Sequence, residues 1–237
     1  MNCQEILREL HENASEAYRA NVVRMGIPEE LSMGVPTPVI RRLSRSIGVS
    51  HELAFELWRT GYHEAKLLAV LLFDQKKITA EDVEYLISET ASWDLCDHLC
   101  KGLIIKLKDY ETFITAWIDS PHIYEKRAAF TLIASAAIHK KAISDLQLEE
   151  YLNLIREHSQ EEHEHVRKAV SWALREIGKR DFNFNEKALL LAYELKEHGN
   201  KAQVWIAKDA VRELENLVKT PGRKRLISAD SQMGRSM

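Results

Sequence analysis

The sequence predicts an all-α fold, and three observations predict it. The 237 residues contain nine glycines and five prolines, too few for the turns of an all-β chain. Apolar residues recur with helical periodicity along most of the chain. Capping residues stand ahead of many of those periodic runs.

Taken in order, the pattern predicts helices over 2–12, 14–26, 38–47, 50–60, 63–75, 79–89, 93–108, 110–119, 121–139, 147–158, 160–180, 185–198 and 201–218. Thr37-Pro38 and Ser120-Pro121 each put a hydroxyl before a proline that suits the first helical position. Thr79 and Ser92 are further caps, and Ser159 with Glu162 fits a capping box. No stretch alternates convincingly enough to predict a strand. The run Gly26 to Pro38 holds three of the prolines and predicts a long connection. From Thr220 the apolar period is lost, and Arg223, Lys224 and Arg225 follow together. The expected organisation is one helical domain over 1–219 and a flexible basic tail over 220–237.

Three segments share a weak pattern: Glu64–Leu72, Glu125–Ile133 and Val166–Leu174 each carry an early cation (Lys66, Arg127, Lys168) followed by small or apolar residues. The spacing is irregular, but paired helices repeated with drift suggest stacked two-helix units of the HEAT kind, an α-α solenoid.

Composition sets limits. No run approaches the roughly 20 apolar residues of a membrane helix, and the first residues are polar and acidic, unlike a signal peptide. An intracellular location, with no membrane partner, is the expectation. The net charge of −3 would not by itself suggest nucleic acid, though a local basic stripe remains compatible with it. Cys3, Cys96 and Cys100 are an odd, small set, which suits reduced thiols packed in a core. His163 and His165 are two apart and do not share a helix face, so they read as a helix start rather than a metal site. Neither a metal nor a cofactor is expected.

Three places stand out for chemistry. In Ser92-Trp93-Asp94-Leu95-Cys96-Asp97, Trp93 and Asp97 are one turn apart and share a face that Lys101 continues. Arg127 lies in Tyr124-Glu125-Lys126-Arg127-Ala128-Ala129. Lys168, Trp172, Arg175 and Lys179 form one stripe. Singly, each is compatible with a core ring or a solvated charge. Together, an aromatic flanked by cations is a poor buried face and a good surface for a phosphate backbone.

The order S-W-D-x-x-D, Y-x-x-R-A-A and R-K-A-x-x-W-x-L-R-E resembles the AlkD-type DNA alkylation-repair family. Gly34-Val35-Pro36-Thr37-Pro38 resembles that family's G-x-x-T-P turn, and Trp58 and the 63–75 helix fit in order. The matching motifs run from about residue 34 to 180. The resemblance implies a HEAT-like superhelix that cradles duplex DNA on a concave face and releases N3- and N7-alkylated purines with the base left stacked. It implies Trp93, Asp97, Arg127 and Trp172 as the catalytic set, meeting at a shared groove. Lys66, Lys101, Lys168, Arg175 and Lys179 are expected to contact DNA.

Such lesions are cationic and already good leaving groups. The remaining difficulty is positive charge developing on the deoxyribose. A carboxylate at Asp97 and indoles at Trp93 and Trp172 suit that charge. A guanidinium at Arg127 suits a phosphate. Two positions depart from characterised excising members: Ser92 stands at one family aromatic position, and Met25 falls near another. The expected partner is double-stranded DNA carrying alkylated bases, bound by a monomer in a bacterial-type cytoplasm, at the nucleoid when on DNA. A non-catalytic DNA-structure binder and a protein-interaction solenoid are the alternatives.

Overall fold

The computed structural model describes residues 1–236. These form thirteen α-helices: α1 Cys3–Glu12, α2 Glu16–Arg24, α3 Thr37–Ile47, α4 His51–Arg59, α5 His63–Leu72, α6 Ala80–Ser88, α7 Trp93–Gly102, α8 Tyr110–Trp117, α9 Ile123–His139, α10 Asp145–His158, α11 Glu164–Gly178, α12 Phe182–His198 and α13 Lys201–Leu214. Every helix expected from the sequence is present. No helix among the described residues is long and apolar enough to cross a membrane.

The caps explain most boundaries. Thr79 and Asp82 form a capping box ahead of α6, Ser92 caps α7, Asp181 caps α12, and Asn200 with Gln203 boxes α13. Three expected caps work differently. Thr37 is the first residue of α3, Pro36 is its N-cap, and no side chain caps that end. Ser120 takes the His122 N–H in a turn and donates to Glu125 at 2.5 Å, so α9 begins later, at Ile123. Ser159 closes α10 by donating to the Arg156 carbonyl, and α11 begins at Glu164 behind a His163 cap.

The chain divides into two compact units, Met1–Tyr110 and Glu111–Met237. The first is built around α5, which packs on α3, α4 and α7. Nine of its ten residues are buried, including Glu64 and Lys66. A helix apolar on nearly all sides belongs at the centre of its unit. In the second unit α9 and α11 are the principal pair, and α11 also packs on α10, α12 and α13. The unbroken buried run Arg127–Ala137 includes Ala128, Ala129, Ala134, Ala136 and Ala137, whose small side chains let α11 approach closely.

The tail expected to be flexible from residue 220 is instead folded onto the second unit. Strand β1 (Leu217–Val218) pairs antiparallel with β2 (Ile227–Ser228). The turn between them places Pro221 ahead of Gly222 at φ +75, with the Arg223 N–H donating to the Thr220 carbonyl, as a type II turn requires. Leu226 is buried, and its N–H donates to the Lys179 carbonyl. Arg225 donates to the Ala137 and Glu176 carbonyls and pairs with the Glu176 carboxylate. One leucine and one arginine hold the segment down, and neither produces a periodic signal.

Candidate functional site

In the first unit, α7 carries Trp93, Asp94, Asp97, His98 and Lys101. Ser92 is 1 % exposed, and its hydroxyl accepts the Leu95 N–H at 3.2 Å, which fixes where α7 starts. Trp93 is half-buried, and its indole N–H donates to the Met25 carbonyl at 2.9 Å. That bond ties the ring to the C-terminal end of α2. One turn on, Asp97 is 8 % exposed, with Lys101 Nζ 3.4 Å from its carboxylate.

A second acid lies beside the first. His63 Nε2 is 3.2 Å from the Asp94 carboxylate. Burial works to raise the Asp94 carboxyl, but the His63 hydrogen bond and the His63, His98 and Lys101 charges outweigh it and hold it below its ordinary value. Burial lowers His98, with Asp94 opposing and Arg41, Lys101 and His63 adding to the fall.

The turn before α3 is anchored from inside. Glu64 is 2 % exposed. Its carboxylate accepts the Ser32 hydroxyl at 3.1 Å and the N–H groups of Met33, Gly34 and Val35 at 2.9, 2.7 and 3.1 Å. Gly34 is at φ +83, and a Cβ there would lie 2.6 Å from both the Arg19 Cβ and the Ser15 carbonyl oxygen, so the turn admits only glycine. Beyond it α3 buries Ile40 and Leu43 and exposes Arg41, Arg42 and Arg45. Sequence reasoning missed this arginine row. The signal was the apolar pair Ile40 and Leu43 interleaved with three cations.

In the second unit, Arg127 on α9 is 6 % exposed and donates to the His165 carbonyl at the start of α11. The rings of Tyr124 and His165 stack with centroids 6.2 Å apart. Burial, then the Arg127 and His163 charges, hold the His165 imidazole below its ordinary value. Trp172 on α11 is half-buried, and its indole N–H donates to Glu176 at 3.2 Å. Thus Trp93 and Asp97 come together on one helix of the first unit, and Arg127 and Trp172 stand on adjacent packed helices of the second.

The expected DNA-contacting cations separate into three kinds. Lys66 is a correction: it is 6 % exposed, donates to the Glu89 carbonyl at 2.7 Å and lies over the Trp58 ring at 5.0 Å. Burial lowers its ammonium, with Glu89 opposing. A sealed ammonium cannot reach a phosphate. Arg175 and Lys179 sit in an acidic network. Arg175 pairs with Glu213 at 2.5 Å and Asp209 at 3.5 Å, and Lys179 with Glu176 at 2.6 Å and Glu213 at 2.8 Å. Both charges are largely neutralised where they stand. Lys101 and Lys168 keep exposed side chains, the latter beside Glu164 at 2.6 Å. Cys96 and Cys100 are fully buried, and His163 caps α11 by accepting the His165 N–H.

The network gives the second unit an acid sensitivity. Burial works to raise Glu213, but Lys179 and Arg175 outweigh it and depress the folded-state value. A depressed carboxyl stabilises the fold above the unfolded value of about 4.3 and loses that contribution as pH falls through the folded value. Glu213→Gln is therefore expected to be less stable than the parent at pH 7. The gap should begin to close as pH falls below the unfolded value of about 4.3 and vanish below the depressed folded value, in urea unfolding followed at several pH values. A gap that stayed constant with pH would rule out this linkage.

A family model described as DNA alkylation repair enzyme matches residues 6–214. A solved structure described as "A new family of proteins related to the HEAT-like repeat DNA glycosylases with affinity for branched DNA structures" is similar at TM-score 0.76 and 20 % identity, over 90 % of this chain and 95 % of that one. The fold is therefore that of the HEAT-like repeat DNA glycosylases and their relatives. No curated protein matches the chain.

Proposed function

Because the chain belongs to the DNA alkylation repair enzyme family, we propose that it is a DNA glycosylase that releases cationic N3- and N7-alkylated purines from duplex DNA without flipping the base. The observation that carries this reading is the pairing of Trp93 with Asp97 one turn apart on α7, the indole held by the Met25 carbonyl and the carboxylate kept nearly enclosed. A carboxylate in a desolvated place acts strongly on charge that develops nearby.

In this account Asp97 stabilises the positive charge that builds on the deoxyribose and orients the attacking water. The glycosidic bond breaks with its electron pair leaving on the alkylated purine, which becomes neutral. Water adds at the anomeric carbon, and its proton passes to the carboxylate or to solvent. Trp93 presents its indole face to the sugar, and Trp172 gives the second unit an aromatic surface for DNA. Arg127, 6 % exposed and donating to the His165 carbonyl, orders the contact between α9 and α11, and Lys101 and Lys168 offer exposed charge to phosphates. The lesion supplies its own leaving-group activation, so no strong general acid is required. Lys66 takes no part in this proposal, and Arg175 and Lys179 act by ordering the α11–α13 surface.

Two observations favour a second reading, a binder of branched DNA without excision. The similar solved structure is described by affinity for branched DNA. Ser92, buried as a helix cap, also stands where excising members resembling this chain have an aromatic. One incubation with methylated duplex DNA separates the readings. The glycosylase retains DNA in a salt-sensitive way and releases free methylated base. A binder retains DNA and releases none. A protein-interaction scaffold does neither.

A further inference from the structure

The C-terminal hairpin builds a basic cleft on the second unit. It has a volume of about 590 Å³ and is lined by Lys141, Arg180, Asp181, Arg223, Lys224 and Arg225, with Ile138 and Gly222 completing the wall. Five cations face Asp181, whose carboxylate already accepts the Phe184 N–H as the cap of α12. Two of the cations are fixed. Arg225 and Arg180 both donate to the Ala137 carbonyl near the end of α9, at 2.6 and 3.3 Å. That helix end favours cations, which explains why two guanidiniums tolerate each other there. The other three, Lys141, Arg223 and Lys224, are exposed. The Pro221-Gly222 turn, with Lys219 donating to the Lys224 carbonyl, sets the last two in position.

We propose that this cleft is a phosphate-binding surface that takes the sugar-phosphate backbone of DNA, apart from the residues proposed for excision. The choice of backbone follows from what lines the cleft. It has clustered positive charge and, among the described residues, no aromatic ring on which a base could stack. Charge without a base-reading group gives sequence-independent contact with phosphates. It also gives a use to the basic residues 223–225 that the excision chemistry leaves without one. The inference rests on the reading of this chain as a DNA-binding protein.

The test compares the parent with the double variant Arg223→Ala/Lys224→Ala and with Lys141→Ala, measuring affinity for unmodified duplex DNA across a salt series. Loss of two phosphate contacts should make the slope of log affinity against log salt shallower by about 2 in the double variant and by about 1 in Lys141→Ala. Unaltered thermal melting would show that the exposed side chains were removed without harm to the fold. If the parent binds duplex DNA and the variants match it in affinity and slope, the cleft is not a backbone contact, and the proposed function stands. If the parent shows no salt-dependent binding, both readings fall. A further arm replaces chloride by inorganic phosphate at equal ionic strength. Displacement of DNA no greater than chloride causes supports a strand backbone. Inorganic phosphate bound by the parent and lost in the double variant, with DNA affinity and slope unchanged, would show a small-anion site and overturn the assignment.

Discussion

Asp97→Asn is expected to slow release of 7-methylguanine from duplex DNA by at least about 10²-fold while leaving DNA retention nearly unchanged. The amide has the size of the carboxylate but cannot balance positive charge on the sugar. Its ion pair with Lys101, at 3.4 Å, joins a lysine 43 % exposed at its side chain, where such pairs contribute little to stability. The amide fills the same space, so the rate should carry the loss, and thermal melting checks that the fold is kept. Trp93→Ala should slow release less, by about fivefold, in line with a cation–π contribution of about 1 kcal/mol. Single-turnover release with protein in excess reads both. Parental rates in both variants would remove these residues from the mechanism.

The second large effect is on stability. Glu64→Ala is expected to destabilise the protein by about 3–5 kcal/mol, because four donors that converge on one buried carboxylate lose it together. The thermal midpoint should fall by roughly 10 °C. Glu64→Gln should recover little, since its amide turns donors toward the N–H groups of Met33, Gly34 and Val35. A midpoint within a degree or two of the parent's would mean that water replaces the carboxylate without loss. The same change should loosen the Ser32–Val35 turn and with it the start of α3, where the exposed arginine row begins.

The helical architecture was legible because it rests on features local in sequence. Apolar periodicity marked all thirteen helices, and Thr79, Ser92 and their neighbours marked starts. What escaped depends on partners distant in the chain. The carboxylate of Glu64 meets a loop about 30 residues earlier, and nothing near it in sequence announces that loop. Lys66 looked like a recurring surface cation, but it lies on a helix buried on nearly every side and is covered by Trp58 and Glu89. Arg175 and Lys179 share a stripe with Trp172, as expected, but Asp209 and Glu213 of α13 join Glu176 in neutralising them. The hairpin is held by Arg225 across 88 residues to Ala137. For Trp93 the sequence showed a departure at Met25, and the structure makes the Met25 backbone the anchor of that same indole. A backbone carbonyl serves there whatever side chain the residue carries.

The most direct measurement places one 7-methylguanine and, in a matched duplex, one uncharged purine lesion before an excess of the protein, and follows free base with time. The account predicts steady loss of the cationic base and persistence of the neutral one, since the lesion's own charge supplies the activation. Retention of both duplexes with no base released from either would contradict it, as would equal release of the two.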